Sequence, residues 1–149
     1  MYTGSTEKGK LVARAAAANL TPCLLELGGK SPCIIDKSAN VKFAAEKMAF
    51  FAFLNSGQIC IRPDYVLIEN SLVPQFLKHL EAALKLYHND GATKDILGKI
   101  ISDFHRDRLC DLMKDHGGTV VCGNANAHQD KNLTPTVIMN PLEDSPVMQ

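Results

Sequence analysis

The sequence has no net charge: Lys and Arg together number 16, as do Asp and Glu. There is thus no basic field to draw in nucleic acid or an anionic membrane. Long hydrophobic runs are also missing. The longest, such as residues 48–54, are far too short to span a bilayer. The first residues lack a basic stretch followed by an apolar one, so no secretory signal is expected. Cysteines number five, an odd count, and none stands in a C-x-x-C pair. Their spacings suggest neither a zinc site nor a disulfide framework. Free thiols in a reducing, cytoplasmic setting are the expectation. The five histidines are scattered without ligand spacing, which argues against a metal.

What is there is an ordinary globular composition. The 149 residues are 46% apolar and 21% charged, which suits one domain and excludes a disordered or collagen-like chain. A Gly-Ser turn at Gly4 and Ser5 predicts a helix to Ala18, with Asn19 as its stop. Short apolar runs at 22–27 and 31–35 predict buried strands. Asn40 caps a helical period from 41 to 54, and Tyr65 opens a strand to Ile68. A helix from Asn70 or Ser71 to Tyr87 follows, then a turn at Asn89-Asp90-Gly91. Ser102 opens a helix to Asp115, which Gly117-Gly118 ends. Strands are expected at 119–122 and 136–139, with a polar loop at 123–132 between them. Alternating strands and helices are the pattern of a parallel α/β sheet.

Three local patterns bear on chemistry. Gly4-Ser5-Thr6-Glu7-Lys8-Gly9-Lys10 has the outline of a phosphate loop, but Leu11 stands where Ser or Thr must hold Mg²⁺. A turn that simply starts a helix is the better reading, although such a helix end can still face a phosphate. His105-Arg106-Asp107 lies inside a helical pattern and reads as a solvated face. The third pattern is a pair of segments, Leu25-Glu26-Leu27-Gly28-Gly29-Lys30-Ser31-Pro32 and Asn55-Ser56-Gly57-Gln58-Ile59-Cys60. Glu26 lies in an apolar run, where burial would suit a general base; the alternative is a structural carboxylate paired with Lys30. Cys60 lies in a glycine-containing loop, a setting that suits a nucleophile; the alternative is an ordinary thiol. Cys23, Cys33, Cys110 and Cys122 read as small core residues.

Taken together, Thr3-Gly4-Ser5 with Gly9, the Glu26-Leu27-Gly28-Gly29-Lys30 block and Gly57-Gln58-x-Cys60 resemble the aldehyde dehydrogenase superfamily, in its order. The separation of 34 residues between Glu26 and Cys60 matches the family's spacing. Arg62-Pro63-Asp64-Tyr65-Val66-Leu67, Thr134-Pro135-Thr136-Val137 and Val147-Met148-Gln149 are similar to its class 3 branch, which acts on fatty and aromatic aldehydes.

The resemblance implies an incomplete aldehyde dehydrogenase-like α/β fold. Residues 1–26 would be the last helix and strand of a Rossmann-like cofactor domain, and 27–149 most of a catalytic α/β domain. Cys60 is implied as the nucleophile, with its backbone N–H as an oxyanion donor, and Glu26 as the base for deacylation. Gly4, Ser5, Gly9, Leu27 and Gly28 match cofactor-binding positions for NAD or NADP. The implied parent oxidises aldehydes and is a homodimer. The family's oxyanion Asn, its ribose-holding Lys and its E-I-F-G-P block match nothing in these residues, so this piece alone is expected to be inactive. The alternative is a catalytically dead piece that serves as a binding or dimerisation module. Phe50, Phe51, Ala52 and Arg62 depart from the branch, which commonly has Trp, Gly, Lys and Ala there. A Phe for Gly would alter the substrate tunnel or the packing behind Cys60.

Overall fold

The structure, a computed structural model, describes residues 1–88, 98–124, 128–129 and 131–149. Two strand–helix–strand units follow one another. In the first, β1 (Tyr2–Thr3), α1 (Thr6–Ala18) and β2 (Leu25–Glu26) form a parallel pair joined by a helix. Ser5 caps α1, its Oγ accepting the Lys8 N–H at 3.3 Å. Asn19 closes the helix as expected. The second unit is β3 (Ser31–Ile35), α2 (Val41–Phe51) and β4 (Pro63–Ile68), again parallel. Asn40 caps α2 through its side chain, which accepts the Phe43 N–H.

The core lies on one face of the β3–β4 pair. Val41, Ala45, Met48 and Ala49 recur at helical spacing on α2 and are buried. They meet Phe76, Leu80, Ala83 and Leu84 of α3 (Val73–His88), with Ile35 below and Val66 and Ile68 at the margin. Burying each large side chain of this set stabilises the fold by about 1.5–3 kcal/mol. The opposite face of the pair is uncovered: Ile34 and Leu67, partners in register, are 74% and 54% exposed.

Past α3 come α4 (Asp103–Leu112), capped by Ser102, and four short strands. These are β5 (Thr119–Cys122), β6 (His128–Gln129), β7 (Asn132–Leu133) and β8 (Val137–Met139). β5 pairs with β8 and β6 with β7, both antiparallel.

Several expectations change. The described sheets are four separate pairs, two of them antiparallel; between β6 and β7 the return is too short for a crossover helix. The polar stretch 123–132 contains that hairpin rather than loop alone. The run at 22–27 yields only a two-residue strand, and Cys23 beside it is exposed, not a core residue. Cys33 and Cys122 do pack against the core, and burial pushes both thiols up from their ordinary value. α2 stops at Phe51, three residues early, where the chain turns toward the cysteine loop. The expected turn at Asn89-Asp90-Gly91 lies outside the described residues.

Candidate active site

Topology brings the two flagged segments together. Glu26 ends β2, beside the end of β1, and the Gly4 N–H continues their ladder by donating to the Glu26 carbonyl at 3.1 Å. The first turn of α1 therefore rises from the same carboxyl edge as Glu26. Crevices at such edges are where open α/β sheets receive ligands. Gly9, one turn into α1, is buried, and a Cβ there would stand 2.9 Å from Leu27 Cδ2. The absence of a side chain lets the helix close onto the segment that follows Glu26. Gly4 is equally constrained, by the Tyr2 ring. Gly28 is open: a Cβ placed there would have nothing within 4 Å.

Residues 27–30 then run from that carboxyl edge into the amino end of β3. Cys60 approaches the amino end of β4, the parallel neighbour, so the two lead-in segments lie side by side. Their contact is close: a Cβ on Gly29 would come within 2.9 Å of the Cys60 carbonyl oxygen. Cys60 itself is exposed.

An ion cluster stitches the lead-ins together just beyond. Lys30 Nζ donates to Asp64 Oδ2 at 2.5 Å and to the Val147 carbonyl at 2.9 Å. Arg62 pairs with the other Asp64 oxygen. The Asp64 side chain is only 12% exposed, so its two cations compensate a carboxylate largely removed from water. Lys30 thus serves Asp64 and not Glu26, against the structural pairing that the sequence left open. Glu26 faces solvent, so the burial expected from its apolar run is not realised: no described residue covers that strand edge.

The cysteine loop has an unusual backbone. Asn55, Ser56 and Gly57 are consecutively left-handed, with φ of 53°, 55° and 74°. Asn and Gly adopt this region readily, while Ser does so at a cost. Gln58 helps hold the turn. Its Nε2 donates to the Asn55 and Lys99 carbonyls, and its Oε1 accepts the Ile101 N–H, each at 3.0 Å. Phe51 is half exposed, while Phe50 packs edge-on against Tyr87 of α3, 5.8 Å between centroids. His105 and Asp107 are exposed on α4, where Arg106 bridges Asp103 and Asp107, as a solvated helix face should be.

Sequence reasoning missed Asp64 and the reach of Gln58. An Asp inside the apolar run 63–68 was the available signal, since such a carboxylate needs cations nearby. Among the described residues no group of three His, Cys, Asp or Glu side chains could hold a metal ion. No helix there is long and apolar enough to cross a membrane.

A profile described as "Aldehyde dehydrogenase family" matches residues 1–149. The dimeric NADP-preferring aldehyde dehydrogenase of Rattus norvegicus is 41% identical over 154 residues, covering 100% of this chain and 33% of the relative. The substrate-bound state of Staphylococcus aureus AldH superposes with a TM-score of 0.87 at 35% identity, over 99% of this chain and 32% of that one. Betaine aldehyde dehydrogenase of the same organism, solved in complex with NAD+, gives a TM-score of 0.86 at 28% identity, over 99% of this chain and 31% of that one. The chain therefore spans about a third of the length of the relatives it matches.

Proposed function

This chain belongs to the aldehyde dehydrogenase family, and from that premise we propose that it carries the nucleophile and the base of an NAD(P)-dependent oxidation of aldehydes to carboxylic acids. The observation that supports this most is the meeting of the two lead-ins, with the Cys60 carbonyl against Gly29, three residues from Glu26. On this reading residues 1–26 belong to the cofactor-binding part and 27–149 to the catalytic part.

The Cys60 thiolate adds to the aldehyde carbon, and the Cys60 backbone N–H donates to the resulting oxyanion. Bound NAD(P)+ supplies the acceptor for the hydride that this oxidation removes. The acyl group is left on Cys60 as a thioester. Glu26 takes a proton from the water that cleaves it, and the acid departs with Cys60 restored. Gly4, Ser5, Gly9, Leu27 and Gly28 would hold the dinucleotide. The exposed, Ser5-capped end of α1 suits a phosphate, and the open space at Gly28 admits a ring. Glu7, exposed in the same turn, stabilises the helix end when no anion is present. One strand–helix–strand unit offers little else for a dinucleotide, so the 149 residues by themselves turn over poorly. A homodimer and a cytoplasmic setting complete the reading, supported by the relative named dimeric and by the cysteine pattern.

The test is a graft of residues 1–149 in place of the matching 154 residues of the rat relative, followed by aldehyde-dependent reduction of NAD+ or NADP+. Turnover is expected, and Cys60→Ser should abolish it. Glu26→Gln should leave one burst of reduced cofactor without sustained turnover. Normal turnover by the Cys60→Ser graft would refute the assignment. The uncovered Ile34 and Leu67 face favours a second reading, a catalytically silent binding or dimerisation piece. Sedimentation of the ungrafted chain as a monomer would count against that one.

A further inference from the structure

Gln58 stands two residues before Cys60, and its side chain makes an arrangement of its own. The groups it engages are the carbonyl of Lys99 and the N–H of Ile101, which flank Ile100. These are the two groups that a residue in a neighbouring parallel strand would engage with its own backbone. The Gln58 carboxamide thus supplies the N–H and the C=O that one strand residue would supply in a ladder. On its other side the Ile100 N–H donates to the Lys131 carbonyl at 2.9 Å. Ile100 is the most deeply buried large side chain among the described residues, 1% exposed. Ser56 adds a second tie, its Oγ donating to the Gly98 carbonyl at 2.8 Å. The amide orientation follows from the partners: reversed, Oε1 would face two carbonyl oxygens and Nε2 an N–H.

We propose that Gln58 is a positioning residue. It docks the left-handed turn 55–57 onto residues 98–101, so that the buried Ile100 anchors the backbone carrying Cys60. Asn, one methylene shorter, cannot span the same two groups from this backbone. Met has the length but no hydrogen bonds. Glu carries both features only when protonated: the neutral carboxyl donates to Lys99 and accepts from Ile101, whereas the carboxylate meets the Lys99 carbonyl with a lone pair.

The catalytic consequence rests on the proposed aldehyde chemistry; the anchoring does not, and the experiment separates them. The 149-residue chain is labelled with dithiodipyridine, which reacts with thiols in acid as well as at neutrality. Cys60 is read against Cys23, also exposed, as internal reference, in native buffer and in urea. The native ratio should differ from the urea ratio, and Gln58→Met should move it to within about a factor of two of the urea value. Exchange of the Ile101 amide should accelerate roughly tenfold in the same variant, as loss of one hydrogen bond implies. Gln58→Glu should behave like Gln58→Met at neutral pH and return toward the parent below its carboxyl pKa. A native ratio equal to the urea ratio, or a Gln58→Met chain with unchanged ratio and unchanged Ile101 exchange, overturns the proposal. In the grafted enzyme Gln58→Met should lower kcat with little change in KM for the aldehyde. An inactive parent graft would remove the dehydrogenase reading and leave the labelling and exchange results to decide on Gln58.

Discussion

Adding a single methyl at Gly29 should disturb the cysteine loop more than the same change next door at Gly28. On Gly29 the new Cβ would lie 2.9 Å from the Cys60 carbonyl oxygen, whereas ordinary contact begins at 3.4 Å, so the two segments must part by about 0.5 Å. The obstacle is backbone and cannot rotate away like a side-chain tip. Its neighbours also resist: Asp64 ties Lys30 to Arg62, and Gln58 holds the loop from the other side. Overpacking of this kind costs about 1–3 kcal/mol. For a chain of this size that lowers the melting temperature by roughly 2–4 °C per kcal/mol. Gly28→Ala meets nothing within 4 Å and should be close to neutral in stability. Urea unfolding of both variants, compared at equal m, reads the cost directly. Labelling of Cys60 reads the displacement. If Cys60 is the nucleophile, as proposed, half an ångström there is worth about tenfold in rate, given roughly a hundredfold per ångström. If Gly29→Ala matches Gly28→Ala in both stability and Cys60 labelling, the close approach of the two segments does not exist as described.

Asp64→Ala should cost about 1–3 kcal/mol in urea unfolding: it leaves Lys30 and Arg62 facing each other, both about a third exposed, so solvent moderates the penalty of the broken cluster. Ile100→Ala should cost about 2–5 kcal/mol in the same assay, because its site is closed to solvent. Ser5→Ala removes the cap of α1 and should cost about 1 kcal/mol, read by helicity and thermal melting. Burial raises Cys33 and Cys122 above their ordinary 9.0, so their contribution to stability is complete below that pH and is lost as pH rises beyond it. Cys33→Ala with Cys122→Ala should flatten the alkaline loss of stability, and an unchanged pH profile would contradict the burial of both thiols. At neutral pH these two should also label more slowly than exposed Cys60.

Much of the local structure could be read from residue patterns. Asn40 was legible as a cap, and Ser5 and Ser102 as helix openings that prove to be caps, because a short polar side chain ahead of an apolar period satisfies free backbone N–H groups wherever the helix ends up. The buried stripe of α2 followed from its period for the same local reason. What failed depends on distant partners. The apolar run 22–27 suggested a buried strand, yet burial needs a second layer, and no described residue covers Glu26. The hairpin at β6–β7 escaped because its strands are two residues each, too short for any period to register.

Residue patterns alone sufficed for most of the helices and for the motifs that place the chain in its family, because helix periods and caps are set by neighbours within a turn or two. That the Glu26 block and the Cys60 loop lie against each other followed from the packing of whole elements. Two parallel strands share one amino end, and Gly29 has no side chain to hold them apart. The folded chain alone showed that Lys30 serves Asp64, and that Gln58 completes a ladder around Ile100, some 40 residues on. Such pairings are chosen by which backbone groups arrive unmet at the same point in space, and that depends on the packing of whole elements rather than on neighbours in sequence.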